Sequence, residues 1–196
     1  MNNGNGEWRG VKVNGEIQNI KVECKPQNDS IRRYVLRIHL KAKTQIEKEI
    51  LVIMLNPSTA NENKPDTTCK ALMNLCDWNG YNFITICNLF SLRTPNPSKL
   101  NDNIDEANDT QNNDKLRLCI GQFDEVLCAW GNAKKIKERA KYLTRVYEVE
   151  DMLNGKKLKK IGKGLVDNRF PYHPYSFCFK RSADKYKVQF EYFHPI

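Results

Sequence analysis

Three apolar runs in this chain each end abruptly in a small polar signature. Leu51-Val52-Ile53-Met54-Leu55 runs into Asn56-Pro57-Ser58-Thr59-Ala60, Phe83-Ile84-Thr85-Ile86-Cys87 into Asn88-Leu89-Phe90, and Val126-Leu127-Cys128-Ala129 into Trp130-Gly131-Asn132. Continuous apolar runs separated by helix-like stretches predict buried strands of a parallel sheet. In open α/β sheets the ligand sits just beyond the carboxyl ends of the strands. The polar signatures fall there, so they are candidates for one shared site. A fourth element, Pro171-Tyr172-His173-Pro174, comes late enough in the chain to close over them.

The remaining pattern completes the expected fold. Partial alternation over residues 11–24 and 31–41 predicts antiparallel strands, a ribbon at the sheet edge. A helix is expected over 68–78, with Ala71, Leu72, Leu75 and Cys76 on its apolar face and Gly80 as its stop. Pro95 and Pro97 keep the loop over 88–97 extended. A polar helix over 105–121, a basic helix over 133–143, a strand over 145–149 and an edge strand over 187–193 follow. The Asn- and Gly-rich residues 1–10 read as a flexible tail. Residues 11–196 then form a single α/β domain, three-layer α/β/α around a central, mainly parallel sheet.

Composition narrows the partners. The 196 residues carry a net charge of +9 and a pI near 9.2, which favours a polyanion such as nucleic acid. Lys156, Lys157, Lys159, Lys160 and Lys163 fall in one short segment just upstream of the His173 motif. That segment is either a solvated loop or a phosphate contact, and its position favours the second. Seven cysteines, scattered singly with no CxxC pair, suit buried reduced thiols. No apolar stretch approaches a membrane span and no signal-like start is visible. The expectation is a cytoplasmic monomer that needs neither membrane nor cofactor.

The signatures suit particular chemistry. Pro57 stiffens the turn at Asn56, and the Asn56 carboxamide can orient a water or hold its own turn. Asp66 is placed to cap the next helix, the role its local sequence favours, or to assist that water. Asn88 can match the donor–acceptor edge of a nucleobase, or cap its strand. Phe90 can stack on a base, although the core competes for it. Of three histidines, His39 lies in an alternating strand and His194 near the end. His173 is the one placed to stabilise a developing negative charge. No catalytic triad, Gly-rich phosphate loop or metal-ligand spacing is present.

Taken together, MLNPSTA, the downstream DTT, CNLF, AWGN and YHP resemble a family of bacterial and phage proteins marked by the MLNPSTA motif, over about residues 31–178. More distantly, their order and spacing resemble the uracil-DNA glycosylase superfamily. That resemblance implies a metal-free DNA glycosylase in which Asn56 positions the water, Asn88 reads the flipped base and His173 stabilises the departing base anion. Trp130 and Gly131 would shape the floor, and Tyr175 or Phe177 would supply a duplex wedge. Met54-Leu55 stands where relatives carry Gly, and the carboxylate and aromatic of the uracil-specific branch are absent. The implied substrate is therefore a modified or damaged pyrimidine. A role against phages with modified DNA, such as glucosylated hydroxymethylcytosine, follows from the same resemblance. Two alternatives stay open: an inactive nucleic-acid-binding module of this fold, and an N-glycoside hydrolase of free nucleosides or nucleotides.

Overall fold

The computed structural model describes residues 5–41, 46–102, 104–178, 180, 182 and 184–194. Asn14 and Gly15 adopt φ of 44° and 96°, the backbone that a two-residue hairpin turn requires. They join β1 (Asn5–Val13) to β2 (Glu16–Lys25), and β3 (Val35–His39) pairs antiparallel with β2. This is the expected edge ribbon. Residues 5–10 correct the tail reading, because they lie within β1. Trp8 is fully buried there, and its indole N–H donates to Asn61 O at 2.8 Å. Residues 1–4, the rest of the expected tail, fall outside the described residues.

The apolar runs form β4 (Glu49–Met54), β5 (Phe83–Asn88) and β6 (Glu125–Cys128). With β7 (Lys157–Ile161) and β8 (Phe190–Tyr192) they complete one eight-stranded sheet, ordered β1-β2-β3-β5-β4-β6-β7-β8. The four strands β5, β4, β6 and β7 run parallel. The sheet as a whole is mixed rather than mainly parallel, with antiparallel pairs on both flanks. The physical reason lies in the connections: parallel neighbours need long crossovers, which only the middle of this chain supplies.

Strand alternation distributes the core. Ile50, Val52 and Met54 of β4 pack with Leu72, Leu75 and Cys76 of α1 (Thr67–Trp78). Leu51 and Ile53 pack on the other face with Leu116 and Ile120 of α2 (Thr110–Gln122) and Tyr142 and Val146 of α3 (Arg139–Met152). Each such buried side chain contributes roughly 1.5–3 kcal/mol. Helices therefore cover both faces, and the strand ends stay fixed relative to one another.

Three helix-related expectations change. The polar helix begins at Thr110 rather than 105, because Asp109 caps it by accepting from Asn112 N at 2.8 Å. The basic helix begins at Arg139 rather than 133, after a loop over 132–138, and runs on as α3 through the expected strand over 145–149. Buried Tyr142, Arg145, Val146 and Val149 recur at helical rather than strand spacing. Among the described residues no helix is long and apolar enough to cross a membrane. All seven cysteines are free thiols.

Candidate functional site

A cavity of about 520 Å³ opens beyond the carboxyl ends of β4 and β6, within the size range of small-molecule sites. Its walls come from segments far apart in sequence: the Asn56 turn, the start of α1, Thr94 and its prolines, the Trp130-Gly131-Asn132 loop, and the His173 segment. Backbone bonds carry strand pairing past the sheet edge and hold these loops. Ala129 N donates to Ile53 O at 2.8 Å, and Thr94 N donates to Pro57 O at 2.8 Å.

Asn56 is fixed in orientation. Its Nδ2 donates to Pro57 O at 2.8 Å and to Thr94 O at 2.9 Å. Both amide hydrogens are thereby used, so Oδ1 is the group left to meet a ligand. An acceptor there can orient a water but cannot donate to a substrate. The Asn-Pro turn and the Thr94 loop also become one rigid wall.

Trp130 and Gly131 turn the chain out of β6 against His173. Gly131 has φ +72°, and a Cβ there would stand 3.2 Å from His173 Cβ. Glycine is required on both counts. Tyr142 Oη donates to Gly131 O at 2.6 Å, Arg139 Nη1 donates to Asn132 O at 2.7 Å, and Asn132 Nδ2 donates to Asp167 at 2.7 Å. The loop is therefore rigid, and Trp130, 1 % exposed, forms cavity wall and core at once.

His173 precedes a 3-10 turn, Pro174–Phe177, and its Nδ1 accepts from Tyr175 N at 3.2 Å. That bond places any ring proton of the neutral form on Nε2. Burial pushes the imidazole down to about 4, against an opposing pull from Asp66. His173 is thus a neutral donor at physiological pH. Tyr175 stands on the rim, 48 % exposed, whereas Phe177 is core, so of the two aromatic wedge candidates only Tyr175 is placed for contact.

Asp66 caps α1, as its local sequence predicts, and also lines the cavity. Its Oδ1 accepts from Cys69 N at 2.8 Å, and its Oδ2 accepts from Ala60 N at 3.3 Å. Its carboxylate retains lone pairs for a further contact.

Other candidates lie elsewhere. Asn88 is fully buried at the end of β5 and Phe90 is 2 % exposed in the core, and neither lines the cavity. Phe90 is thereby a core residue rather than a stacking platform, and Asn88 stands outside the cavity lining with both amide atoms unpartnered among the described residues. The lysine segment is strand β7, not a loop. Lys159 and Lys160 are buried; Lys159 Nζ bonds Tyr81 and Glu125, and Lys160 Nζ donates to Gly162 O and Lys163 O. Lys156 and Lys157 stand at the amino end of β7, opposite the cavity, since Lys157 pairs with Glu125 at the start of β6. The lysine that does line the cavity is Lys135, exposed on the loop over 132–138.

The pattern also failed to mark Arg33. It lines the cavity while only 1 % exposed, and burial lowers its pKa. Arg32 beside it looks identical in sequence, yet it is half-buried and paired with Asp109 at 3.1 Å. No local signal separates the two.

An α/β sheet with a cavity at its parallel strand ends, where several polar side chains converge, defines the class of this protein. The chain belongs to the family described as "Protein of unknown function (DUF1643)", which matches residues 33–175. No curated protein and no solved structure matches it.

Proposed function

We propose that this protein is a DNA glycosylase of uracil-DNA-glycosylase-like fold that hydrolyses the N-glycosidic bond of a modified pyrimidine. The observation that carries the reading is the convergence of Asn56, Asp66, Trp130 and His173 on one cavity, with His173 held neutral. The parallel strands at the centre of the sheet and the helices on both faces support the same fold.

In this reading a water, held by Asn56 Oδ1 and Asp66, adds its oxygen to C1′ of the sugar. The C1′–N bond breaks with its electron pair going to the base, and the surplus water proton passes to Asp66 or solvent. Nε2–H of His173 donates to the base as negative charge develops, and a dry, fixed donor lowers that barrier without a strong nucleophile. The base must first leave the helical stack, at a few kcal/mol. Tyr175 on the rim fills the vacated space, and Lys135 and its neighbours Lys134 and Lys137 meet phosphates. Defence against phage DNA with glucosylated hydroxymethylcytosine is the biological role we favour.

The test is incubation with duplexes carrying normal, damaged and glycosylated pyrimidines, followed by alkali to reveal abasic sites. Strand cleavage at one modified base is the expected result. Base release from free nucleotides but from no duplex would replace this reading with the nucleotide hydrolase. Duplex binding without abasic product would replace it with the inactive module.

A further inference from the structure

Two side chains in the cavity wall carry buried N–H donors with no partner among the described residues: Arg33 Nε and Trp130 Nε1. Buried donors are rarely left in this state, and such exceptions mark places that a ligand or water completes. Arg33 adds a charge to the problem. Its Nη1 donates to Ala60 O at 2.7 Å, and Arg93 Nη1 donates to the same oxygen at 2.9 Å. Two guanidinium groups thus share one neutral carbonyl.

The carboxylates in this region do not pair with them. Asp66 acts on Arg33 through space, but its oxygens accept from Cys69 N and Ala60 N. Glu62, buried and with one oxygen unpartnered, acts on the same Cys24 thiol as both arginines. Among the described residues neither arginine forms an ion pair. A buried cation without a bonded counter-charge is costly, and a bound anion removes that cost. Lys135 at the mouth biases the potential the same way.

We propose that Arg33 and Trp130 form an anion site in the cavity wall that takes a negatively charged oxygen of the substrate. This rests on the glycosylase reading for the identity of that oxygen. It belongs either to the ring of the departing base, onto which the C1′–N electron pair delocalises, or to a phosphate of the extruded nucleotide. Arg33 donates hydrogen bonds and transfers no proton, since its guanidinium stays charged. The planar fork suits either oxygen source better than an ammonium would.

Nitrogen-15 NMR of the full chain tests the site with two probes, inorganic phosphate and the anion of 5-nitrouracil, an acidic pyrimidine. The Arg33 Nε–H and Trp130 Nε1–H resonances should shift together and saturate with at least one probe. A response to the pyrimidine anion identifies the base as the source; a response to phosphate alone identifies the nucleotide phosphate. Arg33→Met, close in length but uncharged, should lose at least tenfold in affinity. Should Arg33→Met not fold, Arg33→Lys should weaken binding several-fold while keeping the Trp130 shift. Absence of any shift with both probes, or undiminished affinity in the variant that folds, overturns the anion site. Abasic-site formation by the wild type is scored separately. Excision with no anion response removes this site and leaves the glycosylase reading, whereas an anion response without excision does the reverse.

Discussion

The two ends of the parallel strands hold similar groups in opposite states of satisfaction. At the amino end, Glu125 accepts from Tyr192 Oη at 2.5 Å, from Tyr81 Oη at 3.0 Å and from Lys159 Nζ at 2.9 Å. Burial alone would raise the Glu125 carboxyl, but these bonds outweigh it and hold the group at about 2. Glu125 and Lys159 are thereby paired with each other and with tyrosine hydroxyls. At the carboxyl end, Arg33 and Trp130 keep unpartnered donors, Asn56 offers a lone acceptor, and His173 stays neutral beside a cavity. A saturated network rigidifies the fold, whereas an unsaturated one beside open space has bonding capacity left for a ligand. Lysine and tyrosine content alone would have drawn attention to the wrong end.

The largest effect that would break this contrast belongs to His173. His173→Ala should slow excision roughly a hundred- to thousand-fold. The loss should be greatest for bases with high leaving-group pKa. An equal loss for every base, together with a lowered melting temperature, would reduce His173 to a cap for Tyr175. Asn56→Ala should cut excision by about a hundredfold with little change in DNA affinity. Wild-type turnover in that variant would remove the water-holding role. Asp66→Asn preserves an equally good helix cap, so lost excision in a variant that melts normally promotes Asp66 to the chemistry.

Acid sharpens the comparison further. His173 is depressed to about 4 in the fold, so between that value and its unfolded value near 6.5 the folded chain binds fewer protons. Its contribution is fully present above about pH 6.5 and is lost as pH falls through 4, a decline of at most about 3 kcal/mol. His173→Ala should flatten that limb of the stability profile. Glu125 moves in a separate window, since its stabilising deprotonation is lost only as pH falls from about 4.5 toward 2.

At the amino end the expectation is reversed. Glu125→Gln should cost about 1–3 kcal/mol of stability, because it leaves Lys159 without its charge partner. Excision per folded molecule should not change, and a selective loss of activity would contradict the division between the two ends. The smallest effects are electrostatic. Neutralising Lys135 and Lys137 should lower the log–log salt slope of DNA binding by about one per lost phosphate contact. Neutralising Lys156 and Lys157 should leave it unchanged. The opposite pattern would return DNA contact to the amino end of β7.

Much of this architecture was legible along the chain. The apolar runs located β4, β5 and β6, the Asp66 cap located α1, and the polar signatures after two of those strands reached the cavity. The misreadings had local causes. Lys157-Leu158-Lys159-Lys160 read as a phosphate contact because nothing nearby in sequence reveals Glu125 and Tyr81, the partners that let Lys159 be buried. Arg145 disguised the helical spacing of α3, because its burial depends on Leu89 O, which accepts from its Nε at 2.7 Å across 56 residues.

Sequence by itself determined the central strands β4, β5 and β6, the helix α1 and which motifs lie at strand ends, because periodicity, caps and prolines act over a few residues. Tertiary structure decided which of those motifs share a cavity. It brought Asn56 and His173 to one wall and closed Asn88 into the core. It also separated Arg33, buried at the cavity, from Arg32, paired with Asp109. Burial and partner choice are set by atoms distant along the chain, so identical neighbouring residues can carry opposite fates.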